Sequence, residues 1–382
     1  MSLRKCRVAS FLWAISAATG MMTGILSPAW SQGATTDIII GQSGALSGPH
    51  DEVAKEMKAG AEAYFNVVNL AGGVNGRKIK LVSLDDGGEP DRAKANSQKL
   101  ISEENAMALF GYTGEHAIKA VLPLVDKAKI PFVAAASGDQ NLREPFNRYI
   151  FNIRASYFEE TERGIDQYVR RGINKIALFY QNDAYGRAGL AGVDKAMRDR
   201  KLGILIFGSV DRNSTNVASA AQSINKSGAQ AVVIAAGART AAAFIKEMKK
   251  LGSTTQYFVL SSAGAKTLAS LLGDEGRGVA VSQVVPLPTS EGEPLGREFV
   301  KHIGGVKNAS FASLEGYIGA RVLVEGLKKA GKTPTRETLV DALERLGTID
   351  LAGFKLKFVP GNHNGSSFVD LTVIGAQGLY RR

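Results

Sequence analysis

From Asp37 onward the chain alternates short apolar runs with longer amphipathic stretches, and the pattern runs through twice. Asp37-Ile38-Ile39-Ile40-Gly41-Gln42-Ser43-Gly44 and Lys175-Ile176-Ala177-Leu178-Phe179-Tyr180-Gln181-Asn182 are built alike. Each is a β-run that breaks into a polar or Gly-rich loop and then a helix. Such alternation builds parallel sheets with right-handed crossovers. The expected fold class is therefore α/β, with two Rossmann-like lobes. Loops at the carboxyl ends of the strands form the crevice in open α/β sheets, and two lobes face to face make a cleft that can close.

In the first half, Ile38–Ile40 reads as a strand, followed by Ala54, Met57, Ala61, Tyr64, Phe65 and Val68 on one helical face. Ala71-Gly72-Gly73-Val74-Asn75-Gly76 ends that helix with turn residues. Lys78–Leu84 is the next strand, and Pro90 opens a helix. Ala106–Phe110 and Pro131–Ala135 are buried strands around a helix near Ala117–Lys127. The second half repeats the pattern, with strands over 175–180, 203–210, 230–236, 257–261 and 278–285. Helices near 295–303, 311–330 and 335–346 come after that sheet is complete, which suits a return to the first lobe. Strands near 354–359 and 367–374 then end the chain. Three crossings are expected, near Ile153–Ser156, Val284–Pro288 and Phe358–Gly361.

The N-terminus constrains location. Met1-Ser2-Leu3-Arg4-Lys5-Cys6-Arg7 is basic, Val8 to about Leu26 is apolar, and Ala29-Trp30-Ser31 gives the small residues a signal peptidase reads. A cleaved signal over residues 1–31 is expected, with the mature chain beginning at Gln32. Cys6 is the only cysteine and precedes the apolar run, so it is no lipid-anchor site. The mature chain then has no disulfide, thiol nucleophile or Cys-based metal site. The formal charge of +11 falls to +8 without Arg4, Lys5 and Arg7, which suits an anionic ligand. The basic clusters near Lys249-Lys250 and Lys328-Lys329 sit at helix ends, where they complement the dipole. No nucleic-acid partner is expected.

Gly41-x-x-Gly44-x-x-x-Gly48 lacks the Lys-Ser/Thr ending of a phosphate loop and the spacing of a dinucleotide site. It reads as a flexible loop with Ser43 or Ser47 near a ligand. His50, His116, His302 and His363 have no metal-ligand spacing, and no metal or cofactor is expected. Thr113-Gly114-Glu115-His116 follows a buried strand at a helix N-terminus, where free N–H groups attract carboxylates. Ala136-Ser137-Gly138 follows the next strand, and small residues let a ligand approach the backbone. Asp85 and Asp86 point to opposite faces, and Ser137 has no neighbouring base. No catalysis is expected.

Several segments taken in order, Leu46-Ser47-Gly48, Asn69-x-x-Gly72-Gly73-Val74-Asn75-Gly76, Asp85-Asp86, Tyr180-Gln181-Asn182-Asp183-Ala184-Tyr185-Gly186 and Ser313-Leu314-Glu315-Gly316-Tyr317, carry a resemblance. With them the chain resembles the solute-binding proteins of ABC importers in the branched-chain amino acid class, over essentially all of its mature length. The resemblance implies two lobes joined by three crossovers: residues 32–154 with 286–358, and residues 155–285 with 359–382. It also implies a small carboxylate ligand in the cleft, a membrane permease and ATPase as partner, a periplasmic location and a monomer. Gly114, Glu115, Ala136, Ser137 and Gly138, with Ser43, Tyr112 and Thr113 alongside, would hold the ligand from lobe one. Tyr185 would cover it from lobe two, Gly237, Arg239 and Ser262 would complete the site, and Tyr157 would form a wall.

The chain departs from the class at Ser262, where amino-acid binders usually place a carboxylate for the ligand ammonium. Glu115, Asp139 or Asp183 substitutes, or the ligand has no amine. The ligand is open between an apolar amino acid and another small carboxylate, aliphatic or aromatic. A ligand sensor for a signalling partner and an exported α/β enzyme are the alternatives. An enzyme would need a converging acid, base and nucleophile.

Overall fold

A computed structural model describes residues 36–48 and 51–381. The expected export signal and His50 fall outside them. The first lobe opens with β1 (Ile38–Gly44), α1 (Glu52–Leu70), β2 (Ile79–Asp85) and α2 (Pro90–Ser102). It continues through β3 (Ala108–Phe110), α3 (Glu115–Ala128), β4 (Phe132–Val133) and β5 (Ile150–Phe151). Its sheet is parallel, in the order β2-β1-β3-β4-β5.

The second lobe begins with α4 (Tyr157–Arg170), β6 (Ile176–Gln181), α5 (Ala184–Asp199), β7 (Phe207–Val210) and α6 (Ala218–Lys226). β8 (Ala231–Ala235), α7 (Ala238–Lys250), β9 (Gln256–Val259), α8 (Ala265–Leu272) and β10 (Ala280–Gln283) follow. α9 (Pro294–His302), α10 (Phe311–Ala330), α11 (Arg336–Glu344) and a hairpin of β11 (Gly347–Leu351) with β12 (Phe354–Phe358) come next. β13 (Asp370–Ile374) and β14 (Tyr380–Arg381) end the chain.

The late helices return to the first lobe. Leu314, Tyr317, Ile318 and Leu323 of α10 share one core with Phe65 of α1 and Phe110 of β3. Glycine makes the α1–α10 crossing close. A Cβ on Gly60 would stand 1.7 Å from the Ser313 carbonyl oxygen, and one on Gly316 would stand 2.1 Å from that of Met57. β13 belongs to the second sheet, whose order is β14-β13-β10-β9-β8-β6-β7, and pairs antiparallel with β10.

Several details differ from the sequence expectations, among them the short strands β5 and β14, which were not expected. β7 begins at Phe207, on the sheet edge and 54% exposed, four residues later than the apolar pattern suggests. β11 was not expected; Gly347 at φ +66 turns the chain out of α11 into it. The last crossing lies beyond Phe358–Gly361. Asn364 and Gly365 still bond Asn152 of the first lobe, so the passage to β13 occupies residues 366–369.

In both sheets the chain starts in the interior, moves one strand outward, then returns to the other side. The strand order therefore reverses between β1 and β3, and again between β6 and β8. Crevices form at such points, beyond the carboxyl ends of the strands.

Candidate functional site

Both crevices open onto one cavity of about 150 Å³. Lobe one contributes Ala45 beyond β1, Gly88 beyond β2, Thr113–Ala117 beyond β3 and Ala136 beyond β4. From lobe two come Asp183 and Tyr185 beyond β6, Arg212 and Asn213 beyond β7, Gly237–Arg239 beyond β8, and Ser262 and Ala263 beyond β9. A water needs about 10–15 Å³ on this measure, so the cavity holds a solute of roughly ten non-hydrogen atoms.

Helices begin at these loops, and most begin without a side-chain cap. Gly114 precedes α3, Gly237 precedes α7 and Gly264 precedes α8; none can offer a side-chain oxygen, and no cap hydrogen bond forms. The first N–H groups of a helix have no partner within it. Left open beside a cavity, they attract an anion. α5 differs. Asp183 accepts from the Gly186 N–H at 2.9 Å, and His116 Nε2 accepts from the Ala184 N–H at 3.2 Å.

The charged side chains are unevenly satisfied. Arg239 reaches Glu52 of the opposite lobe at 3.1 Å, and Arg212 donates to the Gly88 carbonyl at 2.6 Å, also across the cleft. Asp183 spends one oxygen on the α5 cap and the other on Gln181 Nε2 at 3.1 Å. Glu115 is buried and accepts a hydrogen bond from the Tyr157 hydroxyl, which lies 2.8 Å from the Ser262 hydroxyl. Burial pushes the Glu115 carboxyl up to about 7, against the opposing effect of the Tyr157 hydrogen bond, and nearby Asp139 and Asp183 add to the rise. His116 is held below its ordinary value, first by burial. The Tyr185 hydroxyl is buried and has no hydrogen-bond partner.

Of the residues expected in the site, Thr113, Gly114, Glu115, Ala136, Tyr185, Gly237, Arg239 and Ser262 line this cavity. Tyr157 reaches it through its hydroxyl, and its ring lies 5.4 Å from that of Tyr185. Gly138 and Tyr157 border an adjoining cavity of about 270 Å³. A Cβ on Gly138 would stand 2.5 Å from the Tyr157 ring, so glycine lets the first crossing pack down there. Ser43, Tyr112 and Ser137 do not line the cavity. Ser43 donates to Asp86 at 2.7 Å, Tyr112 lies in the core 2.8 Å from Ser97, and Ser137 accepts from the Asp139 N–H. Ser47 is tied to Asp85, whose carboxyl is held at about 2 mainly by that hydroxyl.

Sequence reasoning did not find Arg212, Asn213 or Glu52 as lining residues. They lie just past β7 and at the start of α1, and no local motif marks them. Among the described residues no cluster of three His, Cys, Asp or Glu side chains could hold a metal, and no helix is long and apolar enough to cross a membrane.

A sequence model described as periplasmic binding protein matches residues 37–378. An amino acid binding protein of Pseudomonas aeruginosa is 25% identical over 279 residues, covering 72% of this chain and 71% of its own. The crystal structure of a possible leucine/isoleucine/valine-binding protein from Rhodopirellula baltica superimposes with a TM-score of 0.86 at 31% identity, covering 91% of this chain and 97% of its own. A solute-binding protein of an ABC transporter from R. palustris, solved with 4-hydroxybenzoate, shares the fold at a TM-score of 0.81 and 20% identity, covering 91% and 96%. With the family's sequence pattern over nearly all described residues, and its fold in both lobes, this chain belongs to the periplasmic binding protein family.

Proposed function

We propose that this chain is a periplasmic receptor that encloses one small carboxylate between its lobes and delivers it to an ABC importer in the membrane. Its lobes would divide as residues 32–154 with 286–365, and 155–285 with 366–382. The observation carrying this reading is the set of helix N-termini from both lobes, α3, α7 and α8, that begin beside one cavity without side-chain caps. An anion placed there is stabilised by the positive ends of these helices and their terminal N–H groups. Arg212 and Arg239 add positive charge, and both bond across the cleft. A ligand that strengthens those contacts favours the closed form through them. Relatives named for amino acids and a fold neighbour holding 4-hydroxybenzoate support a small carboxylate as cargo.

A thermal-shift screen of residues 32–382 against amino acids and aliphatic and aromatic acids tests the reading. Ligand at one hundred times its Kd adds about 2.7 kcal/mol, a rise of roughly 5–10 °C in Tm for lobes of this size. Solution scattering should show a smaller radius of gyration with the hit bound. Chemical consumption of the hit, followed by NMR, would replace the receptor with an enzyme.

A further inference from the structure

Glu115 is a buried acid with no cation within pairing distance among the described residues. Its carboxyl meets the Tyr157 hydroxyl and the N–H of Glu115 itself, and among the described residues no Lys, Arg or His forms an ion pair with it. The surroundings are negative. Asp183 flanks it from the start of α5 and Asp139 from the loop beyond β4, and both oppose its ionisation. Tyr157 of α4, Ser262 beyond β9 and Tyr185 of α5 are its uncharged neighbours. His116, next to it on α3, offers its Nε2 lone pair to Ala184, and burial lowers its pKa. The two arginines lining the same cavity are engaged with Glu52 and Gly88. A second observation is independent of the acids. Tyr185 lines the cavity, is 6% exposed, and has a hydroxyl with no partner.

An isolated ionised carboxylate is costly to bury, and natural sites pair it. We infer that the missing partner is on the ligand: Glu115, with the Tyr157 and Tyr185 hydroxyls and rings around it, receives a protonated amine. The inference rests on the receptor reading above and narrows it, since the cargo then carries both an amine and a carboxylate. The carboxylate goes to the open helix termini and the amine to Glu115. Aromatic rings beside an ammonium add attraction of their own.

The sign of proton linkage separates this from an amine-free ligand. Ligand-free protein carries a proton on Glu115 below about pH 7. An ammonium pairs with the ionised form, so binding below that pH expels the proton. Affinity then falls as pH drops, approaching tenfold per unit. An amine-free anion beside Glu115 favours the protonated form, and its affinity falls as pH rises through the same range.

The test is isothermal calorimetry on residues 32–382, using L-amino acids beside their amine-free analogues, such as leucine with 4-methylpentanoate and phenylalanine with 3-phenylpropanoate. Runs at pH 6 in two buffers of different ionisation enthalpy count the protons. The expected result is that an amino acid binds, releases close to one proton at pH 6, and outcompetes its analogue at least tenfold. Glu115→Gln should weaken the amino acid at least tenfold and abolish the release. Its ligand-free Tm, equal to or above that of the parent, shows that folding is intact, and Glu115→Asp should restore part of the affinity. Tighter binding of the amine-free acids, or an amino acid indifferent to Glu115→Gln, would overturn the inference and leave the receptor reading standing. Failure of both series would overturn the two together.

Discussion

α3 and α5 begin side by side across the cleft, with His116 of one bonded to the first N–H of the other, and they begin in opposite ways. α3 starts from Gly114 at φ 81 with no cap. α5 starts from Asp183, which binds the Gly186 N–H, while His116 takes the Ala184 N–H. A cap on a helix typically adds about 1 kcal/mol. The chain forgoes that at α3 and again at α7 and α8, where the cavity wall is formed, and keeps it at α5. The difference separates two tasks. Under the receptor reading, open termini attract charge from the ligand, whereas a satisfied terminus gives a fixed base from which Tyr185 can face the cavity.

The largest expected effect comes from closing an open terminus. Gly237 precedes α7 in an extended conformation, φ −61 and ψ 159, which aspartate adopts readily. Gly237→Asp should raise stability by a few tenths of a kcal/mol as a better cap. It should also weaken ligand at least about hundredfold, by occupying the N–H groups and repelling the carboxylate. Unchanged affinity in calorimetry would take α7 out of the site. Tyr185→Ala comes next, at roughly thirtyfold. Because the ring also packs against Tyr157 and belongs to the lobe-two core, its midpoint in denaturant must be measured alongside; near-native affinity with a lowered midpoint would make Tyr185 a packing residue only.

The smallest effect concerns the satisfied terminus itself. His116 accepts from Ala184 only while neutral, and its burial keeps its pKa below the ordinary value. That contact is therefore intact at pH 7 and is lost as pH falls through the lowered pKa. His116→Ala should reproduce the acid form at neutral pH, with a few-fold weaker binding and a larger radius of gyration in ligand-free protein. Scattering that matches the parent would show that this bond does not hold the lobes together.

The strand–helix pattern and the loops beyond the strands were legible because apolar periodicity and glycine placement are local properties. Which residue of a loop faces the cavity was less so. Neighbouring residues at a strand end point to opposite faces, so Thr113 reaches the cavity while Tyr112 enters the core beside Ser97. Ser43 is turned inward in the same manner, toward Asp86. The carboxylates left as alternatives in the sequence separate in space. Asp139 is spent on the Asn141 N–H beside the adjoining cavity and Asp183 on its helix, whereas the Glu115 carboxyl lines the main cavity, held by the Tyr157 hydroxyl and its own backbone N–H. Arg212 and Glu52 find their partners across the cleft, and such pairings depend on how the lobes meet rather than on any short motif.

The antiparallel strand β13 has a bearing on when this molecule can take shape. β10, the edge of the parallel set, waits for residues about ninety positions further along to cover it, and α1 waits about 250 positions for α10. Neither lobe has all its pieces until almost the whole polypeptide exists. A chain emerging in order therefore has both lobes incomplete until its last strands appear. For the exported receptor proposed above, the interleaving of the two lobes would act as a built-in delay.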